Sequence, residues 1–211
     1  MINLHNMDCM EGLRDTPDKF YDLAIVDPPY GQTWGNIADL ASGDTPKLRQ
    51  LNKDASHWDK KPSSDYFEEL RRISKRFLCF GYNQLTSFLG DTNSIIVWDK
   101  MVTGLKYFLR FELIYSSFQT SDIVRISNSK NDKLHPCQKP IKIYKWLLTK
   151  YAKQGDKILD THLGSGSIAI ACYDLGFDLT GYEIDKDYFE AMTKRFEKHK
   201  QQLTLDLKGI A

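Results

Sequence analysis

Two short segments carry side chains whose types and spacing could do chemistry. Asp27-Pro28-Pro29-Tyr30 follows directly on the apolar run Leu23-Ala24-Ile25-Val26. A carboxylate and an aromatic ring are thereby delivered to the carboxyl end of a buried strand, the edge at which open α/β sheets bind their ligands. The two prolines remove backbone donors and stiffen the turn, which leaves the Pro28 carbonyl as an acceptor without local competition. Acceptors beside a flat ring suit an aromatic amine. Read alone, the Pro-Pro pair is equally a turn that ends a strand.

The second segment runs Lys157-Ile158-Leu159-Asp160-Thr161-His162-Leu163-Gly164-Ser165-Gly166-Ser167. It reads as a strand entering a glycine turn that opens the next helix, where bare glycines admit a ligand close to the backbone and the helix amino end offers free N–H groups. No Gly-Lys-Ser/Thr follows, which argues against a nucleotide-triphosphate loop. Seventeen residues beyond Gly166 comes Glu183, in Gly181-Tyr182-Glu183-Ile184-Asp185, an acid where nucleoside-binding folds hold ribose hydroxyls. The pair of signals is stronger than a lone Gly-x-Gly, yet by itself it also admits a nicotinamide dehydrogenase.

The elements that must position these residues follow from periodicity. Apolar runs bounded by turn residues predict strands at Ile2–His5, Asp22–Asp27, Phe77–Phe80, Ser94–Asp99, Phe111–Ser116, Lys157–Asp160 and Asp178–Tyr182. Helical spacing joins Tyr66, Leu70, Ile73 and Phe77; Tyr144, Leu147, Leu148 and Tyr151; Ile168, Ala171, Cys172 and Leu175; and Phe189, Met192 and Phe196. Ser64-Asp65 is the expected cap of the first helix and Asp185 that of the last. Strands separated by helices predict an α/β domain with a mostly parallel sheet covered on both faces. Gly31–Pro62 and Thr120–His135 are polar, fit neither period, and read as substrate-facing loops.

Taken together, and in this order, the motifs resemble the S-adenosylmethionine-dependent amino-group DNA methyltransferases, in the circularly permuted group called the β class. Asn6-Met7-Asp8-Cys9, Trp58-Asp59, Tyr66-Phe67-Glu68-Glu69-Leu70, Trp98-Asp99-Lys100 and His135-Pro136-Cys137-Gln138-Lys139-Pro140 are similar to landmarks of small bacterial and phage-type adenine-specific members, and the resemblance spans about residues 1–199. It implies a single Rossmann-like methyltransferase domain over 1–211, with a target-recognition segment at about 83–134 and a mobile loop at about 31–62. It also implies that S-adenosylmethionine is bound by Asp8, Cys9, Asp27, Lys139, Pro140, Asp160, Leu163, Gly164, Ser165, Gly166, Glu183 and Ile184. Asp27, Pro28, Pro29 and Tyr30 would be catalytic. The Asp27 carboxylate and Pro28 carbonyl accept the hydrogens of an exocyclic amine while Tyr30 stacks on a base extruded from the duplex, a positioning and electrostatic catalysis of direct methyl transfer. Adenine is the expected base; N4 of cytosine and a non-catalytic S-adenosylmethionine-binding subunit are the alternatives. Thr161-His162 departs from the Pro-Phe common in the family, and Ser167 replaces a common Thr. Cys137 follows a proline, as the nucleophile of carbon-5 cytosine methyltransferases does, but an exocyclic amine needs no covalent intermediate.

Composition sets the remaining limits. The chain has 211 residues, 41% hydrophobic and 27% charged, enough for a self-supporting core. Four scattered cysteines without a Cys-x-x-Cys pair indicate neither a disulfide framework nor a metal site. The amino terminus has no basic start before an apolar stretch, and Leu23–Val26 is too short to span a bilayer, so the expected setting is the cytoplasm of a bacterium or phage-infected host. With 29 Lys+Arg against 28 Asp+Glu, the chain has no general basic field for gripping nucleic acid. Lys47, Arg49, Lys53, Lys100, Arg125 and Lys130 are the candidate contacts to double-stranded DNA, and the lysine-rich stretch Lys130–Lys157 reads as a solvated helix face. The resemblance further implies pairing with a second copy, and it leaves a restriction partner open.

Overall fold

The computed structural model describes residues 1–31, 60–102, 110–127, 134 and 137–208. Eight strands form one sheet: β1 (Ile2–Asn6), β2 (Leu23–Val26), β3 (Phe77–Phe80), β4 (Ile95–Asp99), β5 (Phe111–Ser116), β6 (Ser121–Arg125), β7 (Lys157–Asp160) and β8 (Asp178–Glu183). The described helices are α1 (Cys9–Arg14), α2 (Ser64–Ile73), α3 (Tyr82–Leu89), α4 (Ile141–Tyr151), α5 (Ser167–Leu175) and α6 (Lys186–Lys208). The strand order is β1-β8-β7-β2-β3-β5-β4-β6, and every pairing is parallel except those of β5 with β3 and β4.

This order makes neighbours of the two motif strands. Leu23 and Ala24 of β2 pair in parallel with Ile158 and Leu159 of β7, so the turns beginning at Asp27 and Asp160 leave the same sheet edge side by side. Alternation along β2 explains the layering. Leu23 and Ile25 join the core beneath α4, α5 and α6 with Phe80, Trp98, Tyr144 and Leu147, whereas Ala24 and Val26 join the opposite core with Leu13, Tyr66, Phe67, Leu70 and Leu85 from α1, α2 and α3. A strand covered on both faces must be apolar at every position, and all four residues of β2 are buried.

All seven predicted strands are present; three helices and one strand need comment. β6 lies inside the stretch read as a loop, because an edge strand needs only one apolar face and Val124 is its one buried hydrophobic residue. α1 has six residues, and α3 departs from helical geometry at Leu85 (φ −119°), so neither supplies enough turns for a clear period. α2 ends at Ile73, and Phe77 belongs to β3. Its N-cap is Ser63, one residue before the expected pair. Asp185 does cap the last helix, its carboxylate accepting the Tyr188 N–H at 3.0 Å. Of the segment 83–134, the described parts are most of α3 and the strands β4, β5 and β6 of the main sheet, while 103–109 and 128–133 lie outside the described residues, as does most of Gly31–Pro62. No helix among the described residues is long and apolar enough to cross a membrane.

β7 ends on an unusual carboxyl. Asp160 is buried, its Oδ1 accepts the His162 N–H at 3.0 Å, and its Oδ2 has no hydrogen-bond partner. Burial, reinforced by the Asp27 and Glu183 charges, pushes its pKa up to about 8. A folded-state pKa above the unfolded one, about 3.9, gives stability that is complete below pH 4 and lost as pH rises to 8. Asp160→Asn removes that dependence. In thermal unfolding the variant should match the wild-type melting temperature near pH 4 and exceed it by several degrees at pH 8.

Candidate active site

The two turns open on a cavity of about 380 Å³, within the range of small-molecule sites. β2 delivers Asp27, Pro28, Pro29 and Tyr30 to one wall; the β7 turn supplies Thr161, His162, Leu163, Gly164 and Ser165; Asp8 and Cys9 at the start of α1, and Glu183 and Ile184 at the end of β8, form another side. Lys139, Gln138 and Cys137, just before α4, close the site from the opposite face. Of the residues expected to bind a cofactor, Asp8, Cys9, Asp27, Lys139, Leu163, Gly164, Ser165, Glu183 and Ile184 therefore meet at one cavity. Pro140, Asp160 and Gly166 do not line it; they shape the backbone behind it. Pro140 is the N-cap of α4 and Gly166 the left-handed N-cap of α5 (φ 69°), while Asp160 anchors the turn through His162 N–H. His135 and Pro136 lie outside the described residues.

The side of the cavity lined by Glu183 and Asp8 is built from acceptors. Glu183 accepts the Gly164 N–H at 2.8 Å on one carboxylate oxygen and the Asp185 N–H at 2.9 Å on the other. Each oxygen keeps lone pairs for a ligand hydroxyl. Burial raises the Glu183 pKa, opposed by these N–H groups. Asp8 caps α1 through the Met10 N–H at 2.9 Å and faces the cavity with Met7 and Met10. Arg195 of α6 holds the glycine turn by donating to the Ser165 carbonyl at 2.7 Å. A ligand that presents hydroxyl or amino donors fits these acceptors.

Thr161 and His162 form a polar cluster with Tyr66. The Thr161 hydroxyl bonds the Tyr66 phenol at 2.6 Å and His162 Nδ1 at 2.9 Å, and the His162 ring meets Tyr66 edge-on at 5.4 Å. Burial lowers the His162 pKa to about 4. The imidazole is neutral at physiological pH.

Beneath Asp-Pro-Pro-Tyr lies a buried charge network. Lys139 Nζ donates to Asp27 Oδ2 at 2.6 Å and reaches Glu112 Oε1 at 3.2 Å, while Glu112 Oε2 pairs with Lys100 Nζ at 2.7 Å. The Tyr30 hydroxyl donates to Asp27 Oδ1 and stands 3.2 Å from Glu112 Oε1. Burial raises the Asp27 pKa, Lys139 opposes it and the Glu112 charge adds to it. Burial would raise Glu112 as well, but Lys139 and Lys100 outweigh it and hold that carboxyl below the usual range. Burial acts against the Lys139 charge, and Asp27 and Glu112 overcome it, so its ammonium titrates above its ordinary value.

Sequence reasoning missed Glu112, although β5 carried the signal. Ile114 and Ser116 share its strand face and are buried, so period 2 places a lone acid at a core position, where it must find a cation. Tyr66, Tyr144 and Tyr188 also line the cavity; helical spacing marks Tyr66 and Tyr144 as helix-face residues, and nothing in the sequence singles out Tyr188. Among the basic residues expected to face DNA, Lys100 commits its ammonium to Glu112, whereas Arg125 is exposed at the end of β6, 3.9 Å from Asp99. Lys47, Arg49, Lys53 and Lys130 lie outside the described residues. Among its described residues the lysine-rich stretch has most of its lysines at the surface, with Lys145 paired to Asp174 and Lys150 to Asp122, and Lys139 is the buried exception among them. No group of three or more metal-ligating side chains occurs among the described residues.

Comparison with known proteins gives this geometry a family. A family model for DNA methylases matches residues 49–194. The Type II methyltransferase M.HpaI of Haemophilus parainfluenzae is 35% identical over 238 aligned residues, covering 89% of this chain and 72% of that protein. The M1.HpyAVI complex with S-adenosylmethionine has a TM-score of 0.63 at 19% identity, covering 92% of this chain and 100% of that one. The cytosine-N4-specific PvuII DNA methyltransferase has a TM-score of 0.61 at 13% identity, covering 95% and 90%. The last two share the fold, and the first two findings reach further: the chain belongs to the N6/N4 DNA methylase family, the S-adenosylmethionine-dependent methyltransferases that act on DNA.

Proposed function

We propose that this protein methylates the exocyclic amino group of adenine in double-stranded DNA, acting on a base extruded from the helix. The observation that carries the reading is the Asp27 carboxylate at the head of an Asp-Pro-Pro-Tyr turn, on the wall of a cavity that Glu183 and Asp8 also line. Adenine as the base follows the resemblance of the motifs to adenine-specific enzymes. S-adenosylmethionine, when bound, supplies an activated methyl on its sulfonium. Glu183 would hold the ribose hydroxyls, Asp8 the adenine amino group, the Leu163–Ser165 backbone the centre of the molecule, and Lys139 with its neighbours the methionine end.

The chain's own contribution to the reaction is acceptor placement. An exocyclic amine has its lone pair delocalised into the ring, and it becomes nucleophilic when acceptors hold its hydrogens and favour pyramidal geometry. Asp27 and the Pro28 carbonyl fill that role, and they need no covalent enzyme intermediate, so Cys137 has no nucleophilic part. Base extrusion costs a few kcal/mol, of which stacking on Tyr30 returns about 1–3 kcal/mol. The raised Asp27 pKa places the acid limb of activity above the ordinary carboxylate range. We further propose one methyltransferase domain over 1–211 whose target recognition draws on segment 83–134 and on exposed Arg125, and which pairs with a second copy on DNA.

Incubation with labelled S-adenosylmethionine and mixed-sequence duplex, followed by nucleoside digestion and mass spectrometry, should yield N6-methyladenine that disappears in Asp27→Ala; N4-methylcytosine would overturn the choice of base, and no product despite cofactor binding would overturn catalysis. Tyr30→Ala should lose roughly tenfold more rate on duplex than on single-stranded DNA, about 1.4 kcal/mol of stacking; equal losses on both would sink the stacking role. Gly81→Ala probes the same ring. Gly81 has φ +73°, and a Cβ there would stand 2.2 Å from Tyr30 Cε1, so the variant should lose about 1–2 kcal/mol of stability and most of its transfer rate while retaining its Kd for cofactor.

A further inference from the structure

Both oxygens of Asp27 already accept a hydrogen bond as the site stands, so an arriving amine must share or displace a donor. Lys139 occupies Oδ2 and the Tyr30 hydroxyl donates to Oδ1. Both partners also face a second carboxylate, since Glu112 Oε1 lies 3.2 Å from Lys139 Nζ and 3.2 Å from the Tyr30 oxygen. A phenol has one hydrogen to donate, so Tyr30 can serve one carboxylate fully at a time. Glu112 is itself buried, 6% exposed, and its other oxygen is fixed by Lys100 at 2.7 Å, an ammonium that also sits 5.2 Å over the Trp98 ring.

We propose that Glu112 is a positioning residue for methyl transfer, the alternate acceptor to which Tyr30 and Lys139 turn when Asp27 takes up the target amine. The inference rests on the reading above that Asp27 accepts the amine hydrogens. When the amine arrives, the Tyr30 O–H rotates from Asp27 Oδ1 to Glu112 Oε1 and Lys139 leans toward the same oxygen, so no buried donor loses its partner. Loss of a partner would cost each of these groups more than an ordinary hydrogen bond is worth. Lys100 keeps Glu112 ionised and aimed. The two ammoniums and two carboxylates stay neutral as a set throughout the exchange, and no proton leaves it.

The test is single-turnover methyl transfer to duplex DNA across pH, with cofactor Kd, DNA KM and melting temperature measured for each variant. Glu112→Gln should lower the rate at least tenfold with Kd and KM within threefold of wild type. Its acid limb should move to lower pH, because the charge that raises the Asp27 pKa is gone. Glu112→Asp should keep the limb in place and recover part of the rate. Lys100→Met removes the nearest counter-ion of Glu112 without touching Asp27, and its limb should move to higher pH as Glu112 becomes easier to protonate. It carries the test alone if Glu112→Gln does not fold. A Glu112→Gln rate within threefold of wild type, a rate loss with an unmoved limb, or a Lys100→Met limb that stays in place would each overturn the proposal. Asp27→Asn, run alongside, separates the two levels. Transfer retained in Asp27→Asn defeats the underlying reading; transfer abolished there, with Glu112→Gln like wild type, defeats only the positioning role.

Discussion

Everything in this active site depends on keeping two carboxylates, Asp27 and Glu112, ionised where water is scarce. An isolated carboxylate in such a place neutralises or drags solvent in with it. Here two ammoniums, Lys139 and Lys100, arrive from different parts of the chain and make the group electrically neutral. The pairing does not come cheaply, because a buried ion pair gains little net stability over apolar packing. Its value lies in orientation: the lysine fixes the direction of the Asp27 lone pairs, and the strands fix the lysine. The fold's central sheet is the frame on which that orientation is set.

The sheet does this through strand order. Because β2 lies between β7 and β3, the turn bearing Asp27 sits between the glycine turn on one side and the wall formed by Phe80 and β5 on the other. Glu112 on β5 and Asp27 beyond β2 fall on the same sheet face, the one that α4 covers, and Lys139 is the residue just before α4's N-cap. On the other face, α2 brings Tyr66 to the Thr161–His162 pair. The two layers of helices thus contribute different things, charge from one and a neutral polar clasp from the other.

How much of this could be read in advance depended on whether a residue's role was local. Asp27 to Tyr30, Gly164, Ser165 and Glu183 were legible because a strand followed by a turn places its end residues at the sheet edge whatever the rest of the fold does. The central strands were legible for a similar reason, since burial on both faces leaves an apolar run in the sequence. β6 was not, because an edge strand answers to one face only, and α1 and α3 were not, because they are too short to show a period. Glu112 and the true station of Lys100 depended on which strands pair. Spacing along the chain says nothing of that, and a lysine beside Trp98-Asp99 looks like any surface cation until β5 is known to lie next to β4. Pro140, Asp160 and Gly166 were found in the right motifs, yet they act on the backbone behind the cavity and not at its wall.

The pairing of β2 with β7 also bears on how the protein comes into being. Leu23 meets Ile158, so a wholly apolar strand waits for a partner that follows about 135 residues later in the chain; at typical translation speeds of roughly 5–20 residues per second that is about 7–27 s. Over that interval Leu23–Val26 is an apolar segment with one side of its hydrogen-bonding edge open, while Glu112 and then Lys139 are made before the β7 partner. The middle of the sheet is therefore completed last, when β7 and β8 slot between β2 and β1.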